Sequence, residues 1–292
     1  MEKRKRKIGD RYDGRRVRTL PPMNYISPFV MKARNDAYVL FENRIELGQI
    51  EEYIRGKRRK GMRSFGFMHV IISAYVRVLS QRPALNRFIS GQRIFQREEI
   101  VLSMMIKKSM SLNDQETGIK TIFQPEDTIY DVYRKLDNSI QFAKEEGDST
   151  DLDNVARVLV HLPALVLRFF VGVMGILDYF GIMPKALNRT SPFHASIFFS
   201  NLGSLGIPPV FHHLYNFGNI PAFMTFGSKY TENVLNKDGV AERKKYINYT
   251  VVLDERITDG HYMANALKYM EHLLKNPHEL DTPPETVVRD LD

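Results

Sequence analysis

At 292 residues the chain is long enough to bury a large core, and 43% hydrophobic with 26% charged residues is ordinary for a soluble globular protein. The absence of cysteine removes disulfides, thiolate metal sites and a cysteine nucleophile together. A formal net charge of +8 favours an anionic partner such as phosphates.

The charge is unevenly placed. Nine Lys or Arg residues against Glu2, Asp10 and Asp13 make residues 1–19 a basic segment that reads as a flexible tail. No apolar core follows the opening charges, so the start does not read as a secretory signal. Pro21 and Pro22 mark the entry to a domain expected over residues 20–277. Residues 37–47 read as a strand, and 48–60 as a helix ending in a basic cluster, Arg55 to Lys60, that suits a solvated helix end. Residues 67–82 predict an apolar helix. Phe88 and Ile89 mirror Ile94 and Phe95 across Gly91, which predicts a hairpin; residues 100–106 and 117–123 predict further strands, and 126–146 an amphipathic helix.

Residues 152–184 are strongly apolar but interrupted by His161, Pro163, Arg168 and Asp178. The longest stretch without a charged residue is well short of the ~20 residues that span a bilayer. Two short helices are expected, broken near Pro163 and Gly172–Gly175 and buried in the protein or in a subunit contact. A membrane-surface or acyl-chain-binding role is the other reading. Strand and turn return at residues 192–206, and residues 222–227 and 246–253 predict two more strands. After DERITDG, Asp254 to Gly260, apolar residues at Met263, Ala266, Leu267, Met270, Leu273 and Leu274 define one helix face, closed by Pro277. The last fifteen residues, 278–292, carry five acids against Arg289 and read as an acidic tail.

The DERITDG stretch, set between strand and helix, resembles the signature of the 2-oxoacid dehydrogenase acyltransferase catalytic domain and, more distantly, chloramphenicol acetyltransferase. There a strand runs into His, three residues, then Asp-Gly and a helix. Arg256, Asp259 and Gly260 match; Glu255 stands where the family has its catalytic His. Ser200, Asn201, Leu202 and Gly203 resemble the family's Ser-Asn-Leu-Gly after a strand, and Pro83 to Asn86 its Pro-x-x-Asn after a buried helix. The resemblance covers about residues 20–277. The apolar insertion 152–184 has no counterpart in it, and no stretch reads as a lipoyl or subunit-binding module.

The resemblance implies an α/β fold, a mixed sheet covered by helices, assembled as a homotrimer with its active site between subunits. The acidic tail is a poor hydrophobic knob for joining trimers into larger cages. The family His takes a proton from the thiol of coenzyme A or dihydrolipoamide, and a serine hydroxyl, here Ser200, holds the oxyanion. Catalytic roles are thereby implied for Glu255, Ser200 and Asp259, with Arg256, Gly260, Asn201 and Gly203 as structural parts of the motif. Asp259 is expected to pair with a cation, Arg256 or an Arg near the N-terminus, and Gly260 to let the chain turn into the helix. His212, His213, His261, His194 and His161 are substitute candidates for the missing base, each weighed against an ordinary structural histidine.

The leading function is coenzyme A-dependent acyl transfer between a small-molecule thioester, or an acyl carrier, and an acceptor, in the cytoplasm and without metal or lipoyl group. The rival is a noncatalytic trimeric binding or scaffold relative. A nucleic-acid reading has only the basic stretches behind it, and a membrane surface ranks below a packed insertion. No GxxxxGK[ST], HExxH or dinucleotide fingerprint offers another chemistry.

Overall fold

A computed structural model describes residues 5–107, 116–145 and 159–290. Its centre is a six-stranded mixed sheet in the order β2 (Tyr38–Glu46), β9 (Ala241–Asp254), β8 (Ala222–Leu235), β7 (Ile197–Asn201), β5 (Ile100–Lys107), β6 (Glu116–Phe123). β7 runs parallel to both β5 and β8, and the other neighbours are antiparallel. Alternation explains its two faces. Phe199, Met224, Tyr249 and Val251 point to one face and join the main core, whereas Phe198, Phe223 and Val252 point to the other.

The first face is covered by α2 (Gly48–Arg59), α3 (Phe67–Gln81), α4 (Ile129–Glu145) and α7 (Gly260–Lys275). α3 is buried almost throughout, and α7 buries Met263, Ala266, Met270, Leu273 and Leu274 at the spacing read from the sequence. A smaller antiparallel sheet joins β1 (Gly14–Arg16), β4 (Arg93–Arg97) and β3 (Arg87–Ser90). The β3–β4 hairpin turns through Gly91 and Gln92, both at positive φ, as two-residue hairpins of this hand require.

Four expectations are corrected. The described part of the basic N-terminal segment is not a loose tail: β1 pairs with β4, Val17 is buried, and Arg11 reaches Asp178 at 2.8 Å. The acidic C-terminal segment is fastened as well. Arg87 grips Asp290 through two hydrogen bonds of 2.6 and 2.5 Å, and Asp281 accepts from Tyr53 (2.5 Å) and from Lys57 (2.6 Å), a lysine of the cluster expected to be solvated. Both segments are charged, but buried opposite charges await them.

The apolar insertion breaks at Pro163, as expected, but from there runs as one helix, α5 (Ala164–Tyr179), with no break at Gly172 or Gly175, and the short α6 (Lys185–Thr190) follows. Interior glycines cost a helix only about 1 kcal/mol each, whereas Pro163 separates α5 from the helical residues 159–160 and serves as its N-cap residue. Residues 152–158 of the expected insertion lie outside the described residues. Within its own chain α5 is not packed, which leaves the subunit contact of the two expected covers: Met174 and Asp178 are its buried residues, and much of its apolar surface is exposed. It is held at its C-terminal end. The Asp178 carbonyl accepts from Arg11 (2.6 Å) and Ser90 (2.8 Å), and a Cβ on Gly91 would lie 2.5 Å from the Tyr179 carbonyl oxygen. Among the described residues no helix is long and apolar enough to cross a membrane.

Candidate functional site

β9 ends at Asp254, a buried carboxylate, and the chain turns there into α7. Arg256 folds back over it with Nε and Nη2 donating to the two carboxylate oxygens at 2.8 and 2.6 Å, and Nη1 donates to the Met31 carbonyl. Arg34 approaches the same carboxylate at 3.9 Å, and burial pushes its guanidinium down to about 10. This closed ion pair fixes the turn that presents Glu255. Glu255 itself is exposed, held by its backbone N–H on the Ala37 carbonyl (2.7 Å). Among the described residues its carboxylate has no hydrogen-bond or ion-pair partner.

Arg256 is therefore spent on Asp254 and not on Asp259, against expectation. Asp259 is exposed and is the N-cap of α7, accepting from the Tyr262 N–H at 2.8 Å. A carboxylate at a helix start is well used on the unpaired N–H groups there. Gly260 has an ordinary φ and open space where a Cβ would stand, so within one chain the turn does not require glycine.

Ser200 lies on the sheet face away from the main core. It pairs in register with Thr225 of β8, which pairs with Thr250 of β9. Its hydroxyl is half-buried and has no hydrogen-bond partner among the described residues. Asn201 and Gly203 shape the turn that leaves β7. The Asn201 side chain accepts from the Gly203 N–H (3.1 Å), and a Cβ on Gly203 would lie 2.5 Å from the Gly227 carbonyl oxygen. Gly227 is in turn crossed so closely by Pro209 that a Cβ would lie 2.4 Å from its ring.

That crossing lays residues 207–219 across the Ser200 face. Thr225 and Thr250 both donate to the Val210 carbonyl, at 2.7 and 2.6 Å, and clip the loop down. His212 comes two residues later. Its ring stacks on Phe223 with centroids 4.0 Å apart, and Phe223 stacks on Phe198 at 4.8 Å. Phe198 and Ser200 are alternate residues of β7, so the imidazole stands one pair of side chains, about 7 Å along the strands, from the Ser200 rung. His212 Nδ1 lies 2.9 Å from the His213 carbonyl oxygen. A carbonyl only accepts, so Nδ1 carries the proton and Nε2 keeps its lone pair. Burial pulls the ring below the ordinary imidazole value, with the His213 carbonyl opposing, which keeps it neutral at pH 7.

Ser200 and Glu255 do not meet within one chain. Glu255 is five positions past Thr250 on a strand two removed from β7. At ~3.4 Å per residue and ~4.8 Å per strand the two are roughly 20 Å apart. The other histidines are not drawn in: His194 is buried beside Ser191 and Asp178, and His261 is exposed in the first turn of α7. Sequence reading missed Thr225 and Thr250. Their signal was a polar residue recurring on alternate positions of otherwise apolar strands. A cleft of about 390 Å³ opens beside the Glu255 turn, lined by Lys32, Arg34, Gly91, Tyr179, Asn216 and Arg256 among others. Among the described residues no group of three or more His, Asp or Glu side chains is placed to hold a metal ion.

No family model and no curated protein matches the chain by sequence. Solved structures do match its fold. A probable dihydrolipoamide acetyltransferase from Listeria monocytogenes superposes with a TM-score of 0.55 at 13% identity, over 89% of this chain and 94% of that one. The dihydrolipoamide acetyltransferase of Azotobacter vinelandii, studied for a serine, a histidine and an asparagine in its catalytic mechanism, gives 0.52 at 11% identity over 91% and 94%. A chloramphenicol acetyltransferase gives 0.51 at 12% identity over 87% and 94%. The chain thus has the chloramphenicol acetyltransferase-like fold of acyltransferase cores, at identities where the likeness is one of fold.

Proposed function

We propose that the protein transfers an acyl group between a coenzyme A thioester and a second nucleophile, as a homotrimer, with Ser200 donating to the oxyanion. The observation that carries the reading is the Ser200 face itself: an uncommitted hydroxyl one rung from a neutral imidazole whose Nε2 is free to accept a proton. His212 acts as the general base that takes the thiol proton, and the Thr225 and Thr250 clip on Val210 holds it in place. Glu255 sits too far from Ser200 in its own chain and reaches a Ser200 site only from a neighbouring copy, as the intersubunit site of the resembling family implies. The basic body and the exposed Lys32 at the mouth of the cleft suit the phosphates of coenzyme A.

The test is thiol release from a panel of acyl-coenzyme A donors. Ser200→Ala should lose on the order of a hundredfold in kcat, the usual size of one oxyanion donor, with KM little changed. Equal rates in wild type and variant for every donor would remove the reading. A second reading, a noncatalytic scaffold, is favoured by one observation: the carboxylate at the motif's catalytic position is exposed and unpartnered among the described residues.

A further inference from the structure

The outward face of α5 carries Leu165, Phe169, Val173, Ile176 and Phe180, which recur at three and four residues and so form one stripe along the helix. Leu165, Phe169, Ile176 and Phe180 are 81, 73, 58 and 68% exposed. At ~150–250 Å² for an aromatic side chain the stripe exceeds the few hundred Å² that a monomer ordinarily leaves open. The opposite face supplies the anchoring Met174 and Asp178, so the stripe is not turned outward by a loose attachment.

The charges beside the stripe say what covers it. Over residues 159–191 the one acid is Asp178, buried and paired with Arg11, whereas Arg168, Lys185 and Arg189 are exposed. Lys185 lies over the Tyr12 ring at 5.9 Å, and the exposed Arg6 donates to the Tyr12 carbonyl at 2.8 Å, which brings a further cation of the N-terminal segment close to Lys185. Two copies of this chain meeting stripe to stripe about a two-fold axis would set cations against cations; in a three-fold assembly a different patch of the neighbour would face the stripe, and the test below separates that case. An anionic bilayer surface meets both features at once, taking the apolar side chains below its headgroups and the cations at their level. The helix has 16 residues, about 24 Å, and is short of the ~30 Å hydrocarbon core. It fits lying in the interface, not crossing it.

We infer that the protein docks on anionic phospholipid membranes through the outer face of α5. The inference does not depend on the acyl-transfer reading. The probe is sedimentation with vesicles of phosphatidylcholine alone and of phosphatidylcholine with about one third phosphatidylglycerol. Wild type should bind the anionic vesicles at least tenfold more tightly than the neutral ones. Phe169→Glu combined with Ile176→Glu should lose at least tenfold, with unchanged thermal unfolding because both side chains face solvent. The chain has no Trp, so Phe169→Trp gives a single reporter whose emission should shift to the blue on anionic vesicles. Wild type left in the supernatant with both vesicles, or a double variant that binds as well as wild type, overturns the inference. So does an unshifted Phe169→Trp, or a double variant whose particle mass falls while neither protein binds vesicles; the last assigns the stripe to a second copy.

Discussion

Replacing His212 by Phe preserves a ring on Phe223 and removes the imidazole lone pair that stands beside the Ser200 face within one chain. With reference values of about 8.5 for a thiol, 6.5 for imidazole and 4.3 for a Glu carboxylate, proton transfer is uphill by about 2 units to the ring and about 4 to the carboxylate. At ~1.4 kcal/mol per unit the difference is ~3 kcal/mol, on the order of a hundredfold in rate. Burial of His212 takes back part of this advantage because it lowers proton affinity, but the same shift keeps the base in its working form. The base must be neutral to accept a proton, so activity should persist below pH 6.5 and fall as pH drops through the lowered value. His212→Phe should lower kcat/KM for thiol release by on the order of a hundredfold and remove that acid limb, whereas Glu255→Gln should stay within about threefold of wild type. Full activity in His212→Phe with loss in Glu255→Gln would refute the assignment and return the role to Glu255. Activity appearing in Glu255→His alone would mark a chain that kept a pocket and lost its catalyst.

Arg256→Gln leaves the buried Asp254 carboxylate with the backbone N–H of residue 256 at 3.1 Å and Arg34 at 3.9 Å, and breaking a buried pair in this way should cost about 3 kcal/mol in urea unfolding; a loss below about 1 kcal/mol would mean that the pair does not hold the turn. Lys120 is pushed down to about 7 by burial, and the carbonyls of Asn188 and Ser191 accept its hydrogens. Between about 7 and its ordinary 10.5 the unfolded chain binds a proton that the folded chain has released, so its contribution to stability rises with pH across that window. Relative to Lys120→Met, wild type should gain about 2 kcal/mol from pH 7 to 9; parallel pH profiles for the two proteins would show that Lys120 does not titrate there.

Most elements were legible because their cause is local. The apolar spacing of α7, the alternation of β9 and the Phe88 to Phe95 hairpin each follow from side-chain periodicity and turn chemistry within a few residues. What failed has distant causes. Residues 1–19 read as a tail because composition counts charges without their partners, and Arg11 finds Asp178 far along the chain. An apolar run signals only that something covers it, so the insertion read as buried in the protein or in a subunit contact, and within its own chain α5 is left exposed.

The candidate site was legible in its parts and not in its assembly. Spacing in DERITDG and Ser-Asn-Leu-Gly names residues but carries no strand register, and register puts Glu255 at the end of β9 that lies away from Ser200. The roles changed with it. Arg256 pairs with the buried Asp254, two residues away, and not with Asp259, which caps the helix instead. The loop that covers the Ser200 face has its path set by Gly203, Gly227 and Pro209 crossing at backbone contact. A histidine in such a loop looks incidental in sequence. Its tautomer, its neutral state and its distance from the serine all follow from the stack on Phe223 and the carbonyl of His213, so the chemistry of this face rests on packing that no short motif records.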